Sequence, residues 1–189
     1  MATLSNNTNN VMAQDKKYIL LENDTIIAYT GRKLYRIQAV RDFGDVKSGD
    51  LGGYIQGEHN LSHEGTCWVS DNARVFGEAS VWGDAQVCDN ARVSEETQVY
   101  GNARVCGHGQ VWDFAQVYGN ARVCDNARVC GHGQVWDFAQ VSDYGKVYDD
   151  AQLFGHAQVC GDAQLCGRSQ VGANERIGGI MQLFNYRWF

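Results

Sequence analysis

An aliphatic residue recurs at every sixth position over most of this chain. The series runs without interruption from Val69 to Leu183, and the position two residues before each aliphatic is mostly Ala or Gly. A period of six fits neither the α-helical turn nor the two-residue alternation of an ordinary strand. It is typical of a chain wound into short strands with a tight corner every six residues. The pattern therefore predicts an all-β fold, a three-sided parallel β-helix of hexapeptide repeats.

Three hexads form one coil of such a solenoid, so residues eighteen positions apart should stack at the strand spacing of about 4.8 Å. A longer repeat lies over this one, because the stretch Asn102–Val117 recurs letter for letter as Asn126–Val141. The shift equals four hexads, so on a three-sided coil it moves the copied residues onto the next face. A four-sided coil would instead stack Trp112 on Trp136, and the sequence leaves this alternative open.

The hydrophobic pattern divides the chain into four segments. Residues 1–16 are polar and rich in Asn, which predicts a disordered arm, and residues 17–53 contain short strand-like runs that predict an N-terminal β cap over the first coil. The hexapeptide-repeat β-helix covers residues 54–178, with a two-residue insertion near His63–Thr66. Apolar residues crowd 179–189, which predicts a C-terminal cap; a patch that docks another subunit is the alternative.

Composition narrows the classes of partner. The 189 residues carry a formal net charge of −6, which disfavours binding to duplex nucleic acid. No apolar run approaches the length of a membrane span. The seven Cys are an odd number and accompany no export signal, so we expect reduced thiols and a cytoplasmic location.

The outward positions on either side of each aliphatic differ between the three predicted faces. One face combines aromatic residues after the aliphatic with uncharged Gln before it: Trp82, Tyr100, Tyr118, Trp136 and Phe154, with Gln98, Gln116 and Gln134. A strip rich in aromatics and free of charge is typical of an interface core. We therefore predict an interface or ligand-binding surface there, with a homodimer or homotrimer as the default assembly. Self-stabilisation of stacked rings is the alternative.

A second face carries a column of cysteines, Cys88, Cys106, Cys124 and Cys160. Their stacked spacing exceeds the usual disulfide separation, and the short Cys–Cys spacings of zinc sites are missing. We therefore predict no metal site on this face.

Three histidines, His108, His132 and His156, occupy predicted corners. Asn and Asp occupy the equivalent positions of other hexads, so these histidines are expected to satisfy the backbone of the turn. They are candidate catalytic bases only if the protein is an enzyme, and a second subunit would then have to supply the walls of a pocket.

The stretch Arg36–Val75, RIQAVRDFGDVKSGDLGGYIQGEHNLSHEGTCWVSDNARV, resembles the YdcK-like branch of bacteria and phages within the hexapeptide-repeat superfamily. The resemblance implies a left-handed parallel β-helix behind an N-terminal cap. Many members of the superfamily are trimeric acyltransferases, and the branch is labelled a transferase by analogy. In those enzymes a loop interrupts the hexads and a catalytic His lies in an intersubunit cleft. No insertion interrupts Val69 to Leu183 here, so no catalytic residue is carried over.

The sequence therefore favours a non-enzymatic, cytoplasmic solenoid that oligomerises and binds through its aromatic face or an intersubunit groove. The phage members of the branch add the hypothesis of an inhibitor that captures a host protein or a small nucleotide-like ligand in the host cytoplasm. No cofactor is expected. The alternatives are an acetyltransferase, for which acetyl-CoA would be the cofactor, and a structural spacer.

Overall fold

The computed structural model describes residues 16–188, and their strands form three sheets. Three longer strands, β1 (Tyr18–Ile27), β2 (Lys33–Ala39) and β3 (Leu51–Ile55), precede a 3-10 turn at Glu58–Asn60. The rest of the described chain forms strands of two or three residues, one in each hexad. They are β4 (Trp68–Val69), β5 (Arg74–Val75), β6 (Ser80–Val81), β7 (Gln86–Val87), β8 (Arg92–Val93), β9 (Gln98–Val99), β10 (Arg104–Val105), β11 (Gln110–Val111), β12 (Gln116–Val117), β13 (Arg122–Val123), β14 (Arg128–Val129), β15 (Gln134–Val135), β16 (Gln140–Val141), β17 (Lys146–Val147), β18 (Gln152–Leu153), β19 (Gln158–Val159), β20 (Gln164–Cys166), β21 (Gln170–Val171), β22 (Arg176–Ile177), β23 (Gln182–Phe184) and β24 (Arg187–Trp188).

Every third short strand belongs to the same parallel sheet. We call the sheet of β4, β7, β10, β13, β16, β19 and β22 the cysteine face, and that of β6, β9, β12, β15, β18, β21 and β24 the aromatic face. The other short strands join β1, β2 and β3 in the cap face. Val117 pairs with Val135, eighteen positions on. The three-sided β-helix is thus confirmed. The four-sided alternative is wrong, because Trp112 follows a strand of the cap face and Trp136 one of the aromatic face.

A single apolar column fills the interior. The inward aliphatics from Val69 to Ile177 and the alanines two positions before them are at most 5% exposed and form one continuous cluster. The narrow interior of a three-sided coil admits one branched residue and one small residue per hexad. This packing explains the alternation of Val or Leu with Ala in the sequence.

Each corner begins at a residue in the left-handed backbone region, and this residue is mostly Gly or Asp. Glycine adopts positive φ without strain, and Asp tolerates it better than most residues. The corner aspartates also link successive coils. Asp89 Oδ2 accepts the backbone N–H of Gly107 at 2.8 Å, and Asp143 Oδ2 accepts that of Gly161 at 2.9 Å.

The cap strands continue directly into the solenoid. β1 pairs with β2 and β2 with β3 in antiparallel fashion, whereas β3 pairs in parallel with β5. The two-residue insertion near His63–Thr66 is confirmed, because Leu61 pairs with Val81, twenty positions on. Apart from Lys16, which forms an ion pair with Glu58, the predicted arm of residues 1–16 lies outside the described residues.

Buried polar groups hold the start of the cap against the first coil. Lys17 is fully buried, and its ammonium donates a hydrogen bond to the Cys67 carbonyl at 2.8 Å. The Tyr18 hydroxyl donates to the Leu61 carbonyl at 2.6 Å, and the Tyr18 ring stacks on His63 with centroids 4.2 Å apart. Each contact joins residues more than forty positions apart, so Lys17 and Tyr18 attach the start of β1 to the first coil.

The C-terminal end leaves apolar side chains in solvent. β24 pairs with β21, but Gln170 lies opposite Arg187, so this last coil is one residue short of the regular register. Ile180 is 91% exposed and Phe184 is 67% exposed. That this apolar segment caps the core, or docks another subunit, stays a prediction.

We expect the corner carboxylates to contribute measurably to stability. The variant Asp143→Ala loses the hydrogen bond to Gly161 and places a residue without a compensating side chain in the left-handed region, which together cost about 1–2 kcal/mol. The control Asp143→Asn retains a side-chain oxygen and should stay near the wild-type value. Urea unfolding of both variants measures the difference, and equal stabilities would contradict the proposed link between coils.

We also expect His63 to make stability depend on mildly acidic pH. Burial lowers the pKa of His63, although the charge of Glu58 acts in the opposite direction. The unfolded chain therefore takes up this proton at a higher pH than the folded protein, and the free energy of unfolding falls as pH drops below about 6.5. Urea unfolding as a function of pH should show a weaker dependence in His63→Gln than in wild type. The exposed control His108→Gln should keep the wild-type dependence; identical profiles for all three proteins would contradict this role.

Candidate binding face

Five rings lie directly above one another on the aromatic face, in the order predicted from the sequence. Neighbouring centroids are 4.3–5.7 Å apart and neighbouring planes differ by at most 11°, over the series Trp82, Tyr100, Tyr118, Trp136 and Phe154. Each ring follows the inward aliphatic of its coil and points outward. The in-register pairing of the strands, such as Val99 with Val117, is what aligns them.

The direction of stacking decides what this face can offer to a ligand. Because the planes are nearly parallel and the spacing is close to that of the strands, each ring covers the faces of its neighbours. At one end of the stack Trp82 is 44% exposed. At the other end Phe154 lies against Gly172, where a Cβ atom would collide with the ring. The stack therefore presents ring edges to solvent and offers a free ring face chiefly at Trp82.

Hydrogen-bonding groups without charge surround the ring edges. Burial among neighbouring rings raises the pKa of Tyr100 and Tyr118, so both hydroxyls remain protonated donors at neutral pH. Gln170 donates to the side-chain oxygen of Gln152 at 2.9 Å, which shows that the stacked amides can hydrogen-bond along the column. The remaining residues before the aliphatics of this face are equally uncharged, namely Ser80, Gln98, Gln116 and Gln134.

Two further aromatic contacts at the edges of this face were not predicted from the sequence. Phe114 stacks on His132 with centroids 5.0 Å apart, at the corner that leads onto the aromatic face. Phe138 stacks on His156 with centroids 4.9 Å apart, at the corner that leaves it. The two phenylalanines are 49% and 51% exposed, so they extend the apolar surface around both corners.

The letter-for-letter duplication accounts for this symmetry. Its shift of four hexads exceeds one coil by one hexad, so the two copies of the sequence Trp-Asp-Phe end on opposite edges of the same face. Each Phe is followed by a His eighteen positions later. The signal was therefore present in the sequence once the three-sided register was assumed.

The candidate catalytic histidines lie on three different corners. His108 precedes β11 of the cap face, His132 precedes β15 of the aromatic face, and His156 follows β18 of the aromatic face. All three are exposed, and among residues 16–188 their rings donate or accept no hydrogen bond. The structure therefore does not bring them together into one site.

The cysteine face holds the candidate metal ligands. Potential ligand atoms of Cys88, Asp89 and Cys106 lie within 4.8 Å of one another. All seven cysteines are free thiols.

No helix in the described part of the chain is long and apolar enough to cross a membrane.

Comparison with known proteins agrees with the architecture. A family model for the YdcK beta solenoid repeat matches residues 85–97 and 115–135. An Escherichia coli (strain K12) protein called "Uncharacterized acetyltransferase YdcK" is 40% identical over 78 residues, which are 38% of this chain and 24% of that protein. This chain thus covers about a quarter of the length of that relative. The resemblance to the YdcK-like hexapeptide-repeat branch is confirmed.

We expect the stacked rings to stabilise the solenoid as well as to shape its surface. Tyr118→Ala removes the ring from contact with Tyr100 and Trp136 and should lower the free energy of unfolding by about 1–3 kcal/mol, since an aromatic pair contributes about 0.5–1.5 kcal/mol beyond buried area. The matched control Tyr118→Phe keeps the ring and should change stability by less than about 0.5 kcal/mol. Thermal or urea unfolding separates the two, and an unchanged Tyr118→Ala protein would mean that the stack adds nothing to folding.

Proposed function

We propose that this chain, a solenoid with repeats of the YdcK type, works by binding rather than by catalysis, and that its aromatic face associates with a second copy of the chain. The observation that carries the proposal is the uncharged strip of five stacked rings, extended at both edges by Phe114 and Phe138. Interface cores are enriched in aromatic residues and depleted in charge. On the other two faces several of the equivalent positions before the aliphatic are Arg or Lys, for example Arg104, Arg128 and Lys146, so this strip differs from them in charge.

The way the rings are stacked favours a protein partner over a planar ligand. A sugar or a nucleobase binds aromatic side chains through a free ring face, and the stack offers such a face chiefly at Trp82. Ring edges, Tyr hydroxyls and Gln amides are instead suited to close packing with intermittent hydrogen bonds. Gln and Tyr each donate and accept, so the same set of groups can pair with itself across a two-fold axis.

The area of the face is sufficient for a dimer. Seven strands at the usual spacing give a height of about 30 Å, and the outward part of one hexad gives a width of about 17 Å. A face of roughly 500 Å² on each copy would bury about 1,000 Å² in total, which is near the lower limit of specific interfaces. The half-exposed Phe114 and Phe138 would add to this area at its edges.

The cap face and the cysteine face would remain accessible in such a dimer. The capture of a host protein or a small nucleotide-like ligand by a phage-encoded inhibitor remains the hypothesis for a further partner, on the strength of the family resemblance. The seven free thiols are consistent with function in the cytoplasm.

An acetyltransferase is the second candidate, and two observations favour it. The E. coli relative is called an acetyltransferase, and His132 and His156 flank the aromatic face. In a dimer through that face, both histidines would lie at the rim of the groove between subunits, where a second chain supplies the missing walls.

Acetyl-CoA should then raise the melting temperature of the wild type. The rise should be smaller in His132→Ala or His156→Ala. No shift with acetyl-CoA would remove this candidate.

Charge placed in the aromatic face should break the dimer while leaving the rings intact. We expect wild type to have the mass of a dimer by light scattering, and Gln116→Lys with Gln134→Lys to weaken association at least tenfold, because like charges would be desolvated at the centre of the interface. The matched control is Gln140→Lys with Gln158→Lys, which makes the same change on the cysteine face. A monomeric wild type, or equal masses for both double variants, would contradict the proposal. A trimeric wild type that is weakened only by the change on the aromatic face would support this face as the interface. It would replace the two-fold axis by a three-fold axis.

A further inference from the structure

Three neighbouring thiols form a column on the cysteine face. Cys88, Cys106 and Cys124 each follow the inward valine of their coil. The ligand atoms of Cys88 and Cys106 lie within 4.8 Å of each other, and the pairing of Val105 with Val123 places Cys124 next in the column. We propose that this column binds soft monovalent metal ions, with Cu(I) as the biological ion, each held between two neighbouring sulfurs. The site is separate from the aromatic face, so the proposal is independent of the association proposed above.

The spacing of parallel strands matches the length of a two-coordinate thiolate complex. With the zinc–sulfur length of about 2.3 Å as a guide, two collinear metal–sulfur bonds span about 4.6 Å. The strands that carry the cysteines are about 4.8 Å apart, and the ligand atoms of Cys88, Asp89 and Cys106 lie within 4.8 Å of one another. An ion can therefore bind between stacked sulfurs without any movement of the backbone. The register of Val105 with Val123 repeats this spacing between Cys106 and Cys124.

A column on a flat face suits linear coordination better than tetrahedral coordination. Zinc requires four ligands that converge from different directions, whereas the sulfurs of this column lie along one line. The carboxylate of Asp89 is already engaged, because its Oδ2 accepts the backbone N–H of Gly107 at 2.8 Å. Thiolates are soft ligands that select Cu(I).

Arg104 favours the charge of the complex at Cys88, whereas the neighbouring Cys106 thiol and burial raise the pKa of the free Cys88 thiol. One monovalent ion displaces a proton from each of two thiols, so the resulting bis-thiolate complex carries one net negative charge. The Arg104 guanidinium lies 3.6 Å from the Cys88 sulfur and can neutralise that charge. Cys88 is 8% exposed, and it lines a groove of about 340 Å³ between the cap loop and the first coils. This partial enclosure would hinder competing small thiols.

The other cysteines provide matched controls. Cys130 lies on the cap face, where the neighbouring coils place Trp112 and Tyr148 at the equivalent positions. Cys160 is on the cysteine face, but Ser142 and Gly178 are its neighbours in the column. Neither residue has a second thiol one coil away, so neither should bind a two-coordinate ion.

The order of the thiols in the column gives a sharp test. The full, reduced chain is titrated with Cu(I) under anaerobic conditions against a chromophoric Cu(I) chelator, and the thiolate-to-copper absorption in the ultraviolet is followed. Cys106→Ser should abolish binding, because both pairs share this sulfur, whereas Cys88→Ser and Cys124→Ser should each retain one pair. Cys130→Ser should bind as wild type does, and circular dichroism verifies that each variant is folded.

Two results would overturn the proposal. The first is a Cys106→Ser protein that binds Cu(I) as tightly as wild type, or a Cys130→Ser protein that loses as much binding as Cys106→Ser. The second is tighter binding of Zn(II) than of Cu(I), lost in Asp89→Asn, which would assign a carboxylate-containing divalent site instead.

Discussion

The hydrogen-bonded register between coils is the constraint on which the rest of this structure depends. Each short strand donates and accepts backbone hydrogen bonds with the strand one coil away. The backbone N–H of Tyr118, for example, donates to the Val135 carbonyl at 3.0 Å. The register cannot slip by one residue, since a slip would turn the inward valines out to solvent. Side chains one coil apart are therefore held in columns. The aromatic stack, the Phe–His contacts and the thiol column are three results of the same backbone geometry.

The periodic part of the fold was predictable because its cause is local and repeated. The six-residue period alone predicts that Trp82 and Tyr100 lie on one face, and the rings stack there at 4.3 Å. The contacts of Lys17 with Cys67 were not predictable, since they join an aperiodic segment to the first coil. The edge contacts of Phe114 and Phe138 were missed for a different reason. They depend on eighteen-residue stacking at the corners, which applies there as well as on the strands.

The cysteines show where a rule from other folds does not transfer. Short Cys–Cys spacings mark metal sites in small loops, where nearby residues must converge on one ion. In a solenoid the neighbour in space is one coil away in sequence, so Cys88 and Cys106 are adjacent despite seventeen intervening residues. Proximity in this fold is governed by the length of a coil. The stacking of His132 on Phe114, one coil away, follows the same rule.

The duplicated stretch shows that the interior and the exterior of the solenoid tolerate different changes in chain length. Inserting or deleting any whole number of hexads preserves the apolar interior, because every side of the triangle accepts the same inward pair. The outer columns survive only when the change is a whole number of coils. A duplication of four hexads thus leaves the protein folded while redistributing its surface groups among the sides. Length variation in such genes would then be a source of new surfaces at little cost to stability, with each added or lost hexad turning everything beyond it by one side.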